Sequence, residues 1–297
     1  MNNNLTLVLS GGGARGIAHI GVIEELERQG FTINSIAGTS MGSLIGGVYA
    51  SGKLPEFKEW ACNLDKHDLV KLIDFSFSRQ GLVKGDKVLK VLRKFIPVEN
   101  IEDLSIKYTA TAFDLANNHE VVFREGNLFK AIRSSIAIPT VFTPVVSGKS
   151  VLLDGGLCNN IPISNAVRTE NDTLVAVYVN SETPARFKIK ESKSEKAQRR
   201  ELHLKRIQNF RNKISKNAAV DNTEHLTYFD LINEIITTVT NNIALMRIEQ
   251  YKPDVFIEVS REYAGTFDFY KVEELIEIGR LVTVEKLKEL GIYKEDK

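Results

Sequence analysis

Ser40 lies in the run Gly38-Thr39-Ser40-Met41-Gly42, a Gly-x-Ser-x-Gly spacing. Where such a run turns sharply from strand into helix, it lifts the serine hydroxyl into the open at the end of a sheet. The glycines two before and two after are there because any Cβ would collide with the tight backbone. The chemistry this serves is attack by the serine oxygen on an acyl carbon. A helix starting just after Ser40 aims its positive end at the negative charge that develops. Such attack also needs donors for the oxyanion, a single one being worth about 3–4 kcal/mol. Gly11-Gly12-Gly13 supplies exposed backbone N–H groups, and Arg15 adds positive charge within reach.

The nucleophile then needs a base. Histidine is the usual partner, and the chain has five. His67, His119, His203 and His225 lie in polar stretches with no constellation around them. His19 sits a turn into the first expected helix and reads as a packing or hydrogen-bonding residue. Asp154 is better placed: it ends the apolar run Val151-Leu152-Leu153 and precedes Gly155-Gly156. The carboxyl ends of strands are where α/β sheets put their active sites, and partial burial there would raise a carboxylate's pKa. An Asx-type turn is the competing reading of the same aspartate.

Two phosphate-binding readings compete for the glycines. Gly11, Gly13 and Gly16 satisfy Gly-x-Gly-x-x-Gly in a strand–turn–helix context, as a dinucleotide site does. That site needs an acidic residue at the end of the second strand to hold the ribose, and this strand runs into Gly38-Thr39-Ser40 instead. Gly47 to Lys53 has phosphate-loop spacing, but Leu54 replaces the metal-binding hydroxyl and the run follows a helix.

The elements that must position these residues follow from hydrophobic period. Leu5–Leu9 is a continuous apolar strand ending in the glycine turn. Ile17–Gln29 is an amphipathic helix, with Ile17, Ile20, Ile23 and Leu26 at every third position and Gly30 as its C-cap. A second strand, Ile33–Ala37, enters the serine turn, and a helix of small residues, Ser43–Ser51, leaves it. Further helices are expected over Asp86–Phe95, Leu128–Ser135, Thr223–Gln250 and Val272–Leu290. Further strands are expected over Lys107–Phe113, Glu120–Phe123, Val151–Leu153, Thr173–Val179 and Val255–Val259. In the long helix Phe229, Ile232, Ile236, Val239, Ile243 and Met246 form one stripe. Successive strand–helix units predict a mostly parallel sheet with helices on its faces.

With 43% hydrophobic and 26% charged residues, the 297-residue chain is of ordinary globular composition, neither disordered nor fibrous. No repeat or linker divides it, so one domain over residues 1–297 is expected. The near-neutral net charge hides a basic insertion at residues 185–216, with twelve Lys/Arg against three Glu; the rest is acidic by eight charges. Such a run either stays solvated or meets anionic lipid headgroups. No signal segment and no apolar run long enough to span a membrane is visible. The expectation is a cytoplasmic protein, peripheral to the membrane at most, with Cys62 and Cys158 as reduced, buried structural thiols.

Together, Gly11-Gly12-Gly13-Ala14-Arg15-Gly16, Gly38-Thr39-Ser40-Met41-Gly42 and Asp154-Gly155-Gly156 resemble the three blocks of the patatin-like phospholipases, in order and spacing. His19-Ile20-Gly21-Val22, Ser134-Ser135-Ile136-Ala137-Ile138-Pro139 and Asn160-Ile161-Pro162 add to the likeness. The resemblance implies a three-layer α/β/α fold and a serine–aspartate dyad without histidine. Ser40 would be the nucleophile, Asp154 the base, Gly38 and Gly42 the elbow, and Gly11, Gly12, Gly13 and Arg15 the oxyanion hole. The implied substrates are lipid acyl esters, cleaved through an acyl-serine with no cofactor or metal. A histidine-triad esterase and a non-catalytic nucleotide binder are the alternatives, and no nucleic-acid partner is expected.

Overall fold

The first strand, β1 (Asn4–Leu9), shows how the layers arise. Leu5, Leu7 and Leu9 point to one side and join the larger hydrophobic core, while Val8 points to the other and joins a smaller one. Thr6, on the same side as Val8, is buried and gives its hydroxyl to the Asp172 carboxylate. A strand apolar on both faces must be covered on both.

The computed structural model describes residues 2–64, 86–139, 141–188 and 228–295. The remaining strands are β2 (Thr32–Thr39), β3 (Lys107–Asp114), β4 (His119–Phe123), β5 (Val145–Ser147), β6 (Ser150–Asp154), β7 (Thr173–Ser181) and β8 (Val255–Ser260). They form one sheet in the order β5-β6-β3-β2-β1-β7-β8, with β4 also pairing β3. From β3 through β2, β1 and β7 to β8 every neighbour is parallel. The β4, β5 and β6 pairings are antiparallel, so the sheet is mixed and mostly parallel.

The helices are α1 (Ala18–Arg28), α2 (Met41–Ala50), α3 (Leu54–Cys62), α4 (Asp86–Leu92), α5 (Leu128–Ser135), α6 (Tyr228–Tyr251) and α7 (Val272–Glu289). Side chains of α1, α2, α5 and α7 fill the core on one face of the sheet; Ala244 and Ile248 of α6, with Ile161 and Ile163, cover the other. Right-handed crossovers require this split, because the chain steps one way from β1 to β3 and the opposite way from β7 to β8. The C-terminal helix α7 is clamped onto α1: a methyl at Gly21 would lie 1.9 Å from Ile276 O, and one at Gly279 2.0 Å from Ala18 O.

Three expectations need adjustment, and others fall outside the described residues. The first helix begins at Ala18 because a 3-10 turn, Gly13–Ile17, precedes it. The helix expected to reach Phe95 ends at Leu92, and Arg93–Phe95 is a 3-10 turn. The buried positions of α6 include Asn241 and Ala244, whereas Val239 and Met246 of the apolar stripe are exposed. Of the basic insertion only residues 185–188 are described; Arg186 there pairs with Glu285 at 3.1 Å. The rest of it lies outside the described residues, as do the start expected for the long helix and His67, His203 and His225.

Candidate active site

Strand β2 runs to Thr39 and α2 starts at Met41, so one residue, Ser40, makes the whole turn. Its backbone stands at φ 54, ψ −124, in the region that favours glycine, at a cost of about 1–3 kcal/mol for a residue with a side chain. Neighbours hold it there. Ser40 N–H donates to Ser135 Oγ (2.9 Å), whose own hydroxyl donates to Thr111 O (2.6 Å). Ser43 Oγ donates to Ser40 O at 2.7 Å. The expected glycine crowding is present: a methyl would lie 2.5 Å from Ser43 N at Gly38, and 2.2 Å from Leu9 O at Gly42.

Asp154 reaches this turn by a different route from the one its sequence suggests. β6 is antiparallel to β3, with Leu152 opposite Asp114 and Asp154 opposite Ala112. The strand therefore comes from beyond the rim of the parallel strands and runs back towards the serine, ending at Asp154 beside their carboxyl edge. Ser40 Oγ donates to Asp154 Oδ2 at 2.5 Å, and Gly156 N–H donates to Oδ1 at 2.7 Å. The Asx-turn and base readings thus coexist, each using one oxygen. Burial pushes the Asp154 carboxyl up to about 6, against the opposing pull of its hydrogen bonds from Ser40 and Gly156.

The glycine loop divides its labour. Gly11 N–H is committed to Asn160 O (2.9 Å), so it is not a free donor. Gly12 and Gly13 begin the 3-10 turn, where N–H groups have no partner within the turn, and both line the cavity that holds Ser40 and Asp154. Arg15 is buried and acts on the loop's walls: Nε donates to Val179 O (3.1 Å), Nη2 to Asn180 Oδ1 (2.6 Å) and Nη1 to Ala264 O (2.9 Å). All three acceptors are neutral, so the charge is not cancelled by a carboxylate in contact, and burial lowers its pKa to about 10.

No described histidine hydrogen-bonds the serine, whose hydroxyl goes to Asp154. His19 is fully buried, its Nε2 2.8 Å from Ser10 O, and burial lowers it to about 4. His119 is exposed at the start of β4. Among the described residues, no cluster of His, Cys, Asp or Glu is arranged to hold a metal. Cys62 and Cys158 are free, and half-buried instead of buried as expected from sequence.

A family model described as patatin-like phospholipase matches residues 7–167, which contain Ser40, Asp154 and the whole glycine loop. The chain belongs to the patatin-like phospholipase family. It is 42% identical over 176 residues to an NTE family protein of Mycobacterium tuberculosis, covering 59% of this chain and 49% of that one. It is 30% identical over 188 residues to lysophospholipase NTE1 of Scheffersomyces stipitis, covering 61% of this chain and 12% of that one. The chain thus spans about half the length, or less, of these curated relatives. Against the crystal structure of VipD from Legionella pneumophila the TM-score is 0.46 at 15% identity, over 96% of this chain and 66% of that one.

In this patatin-like chain the cavity is lined by the apolar Ile138, Pro139, Leu157 and Ile236 and by polar residues that include Asn160, Asn180 and Asn241. Motif spacing does not point to Asn180, which accepts from Arg15 and donates Nδ2 to Gly11 O at 2.8 Å. It ends the apolar run of β7, where a buried amide is the available signal. Nor does spacing give a role to Ser135, which orients the Ser40 backbone from the end of α5.

Proposed function

We propose that this chain is a serine acyl hydrolase that cleaves lipid acyl esters, with Ser40 as nucleophile and Asp154 as base. The observation that carries the reading is the direct contact between Ser40 Oγ and Asp154 Oδ2. As Oγ attacks the ester carbonyl carbon, its proton passes to Oδ2. The negative charge that forms on the carbonyl oxygen is received by the N–H groups of Gly12 and Gly13, aided by the positive end of α2 and the Arg15 charge. Collapse of the adduct breaks the bond to the alcohol oxygen, which takes the proton back from Asp154 and leaves an acyl-serine. Water then repeats the sequence: Asp154 accepts its proton, the acid departs, and Ser40 is restored.

Ile138, Pro139 and Leu157 are the proposed wall for the acyl chain. A carboxyl poised at about 6 is mostly ionised at neutral pH yet basic enough to take a hydroxyl proton, which suits this role. A histidine triad has no support from His19 or His119, and a dinucleotide site lacks its carboxylate after β2. We read residues 1–297 as one domain, since β8 and α7, beyond the family match, complete the sheet and cover α1. No described helix is long and apolar enough to cross a membrane. Peripheral contact with anionic lipid through residues 185–216, at a cytoplasmic location, belongs to the same proposal.

Hydrolysis of a p-nitrophenyl acyl ester by Ser40→Ala and Asp154→Asn tests the reading. Both should lose activity while keeping the wild-type circular dichroism spectrum; full activity in either sinks it.

A further inference from the structure

Asn160 is 5% exposed, yet its carboxamide makes no hydrogen bond to any described residue. Neither of its amide atoms is among the fully enclosed, unpartnered ones, so the amide opens onto the cavity instead of being sealed in the core. Its surroundings say what the amide is kept for. The backbone carbonyl of Asn160 holds Gly11 N–H at 2.9 Å, which fixes the residue against the glycine loop. A methyl built on Gly11 would lie 2.4 Å from Asn160 Oδ1 and 3.0 Å from Ser40 Cβ. One built on Gly156 would lie 3.0 Å from Asp154 Oδ1 and 3.2 Å from Asn160 Oδ1. The carboxamide therefore sits between two glycines, beside both members of the proposed dyad, and lines the same cavity. With its oxygen against those glycines, the free Nδ2 donor is the part left for whatever occupies the cavity.

We propose that Asn160 is a further catalytic residue, whose Nδ2–H donates to the carbonyl oxygen as it becomes an oxyanion, alongside the N–H groups of Gly12 and Gly13. The inference rests on the dyad reading above. It fits the glycine at 11, where a side chain would displace the amide, and the one at 156, where a side chain would crowd both the Asp154 carboxylate and the amide. It also explains the tether from Asn160 O to the loop, which keeps side-chain and backbone donors in one rigid unit.

The test compares Asn160→Ala and Asn160→Leu with wild type, using a p-nitrophenyl ester and a trifluoromethyl ketone, whose adduct with serine carries the oxyanion. Leucine matches asparagine in shape and has no donor. Both variants should lose on the order of 10²-fold in kcat with KM within ~3-fold, and ketone affinity should fall in parallel with kcat/KM. Melting temperatures near wild type guard against misfolding; if Asn160→Ala fails to fold, Asn160→Leu decides. Wild-type kcat in Asn160→Leu would assign the residue to packing and overturn the inference, as would lost kcat with unchanged ketone affinity. If Ser40→Ala stays active, the dyad reading has failed instead, so the two failures are distinct.

Discussion

Asp154 receives the Ser40 hydroxyl on Oδ2 at 2.5 Å and the Gly156 N–H on Oδ1 at 2.7 Å. The second bond fixes the carboxylate plane through the turn that follows, so the first oxygen has one place to point. The two bonds favour the ionised form and burial opposes it; burial is the larger influence, and the balance stands at about 6.

The rate should follow that balance. The proposed base works only when ionised, so kcat/KM for an uncharged ester should rise with pH through about 6 and level off above it. A pH–rate profile of the wild-type enzyme checks this. A midpoint near 7 or above would point to another group.

Stability should move in the opposite sense. Below pH 3.8 the folded and unfolded states both hold the proton. Between 3.8 and about 6 only the folded state keeps it, so stability falls as pH rises. Above that range Asp154 costs the fold on the order of 2–3 kcal/mol, because each tenfold difference in proton affinity between the two states is worth about 1.4 kcal/mol. Denaturant titration should therefore find Asp154→Asn more stable than wild type at pH 8 and little different at pH 4.

The serine's backbone offers a separate test. At φ 54 a side chain is strained, and glycine is not. Ser40→Gly and Ser40→Ala both lack the hydroxyl, so their difference isolates the strain from the lost hydrogen bond. Ser40→Gly should be the more stable by about 1 kcal/mol, after the entropy glycine costs in the unfolded chain. Equal stabilities would mean the turn relaxes once the hydroxyl is gone.

The basic insertion predicts a lipid preference. Twelve Lys/Arg over residues 185–216 should bind vesicles containing phosphatidylserine more tightly than pure phosphatidylcholine vesicles, with the difference shrinking as salt rises. Vesicle co-sedimentation measures it, and equal binding to both would assign the segment to solvent.

The parts of this site legible in sequence are those where local backbone chemistry permits one answer. Gly38 and Gly42 mark the turn because each sits against another element's backbone or the helix it opens, and the apolar run Leu5–Leu9 marks a strand covered on both faces. What stayed illegible depends on pairing between distant segments. Nothing within Val151–Asp154 reveals that β6 runs antiparallel to β3, yet that direction brings Asp154 down to Ser40. Gly11 reads as a donor until Asn160, far along the chain, takes its N–H. Arg15 reads as a charge aimed at substrate until Asn180 and Ala264 are seen to hold it. Likewise α6 carries an apolar stripe in sequence, but it is Asn241, bonded to the Tyr178 hydroxyl at 3.0 Å, that turns inward.

The central claim is that Asp154, without a histidine, deprotonates Ser40. Its most direct test is the rate at which a fluorophosphonate labels the protein, with the modified residue located by mass spectrometry, across pH 4–9. The dyad predicts one label, on Ser40, at a rate rising through about pH 6 in wild type and slower by on the order of 10²–10⁴-fold in Asp154→Asn. It also predicts wild-type labelling when each of the five histidines is replaced in turn. Equal rates in wild type and Asp154→Asn, or labelling abolished by loss of a single histidine, would contradict it.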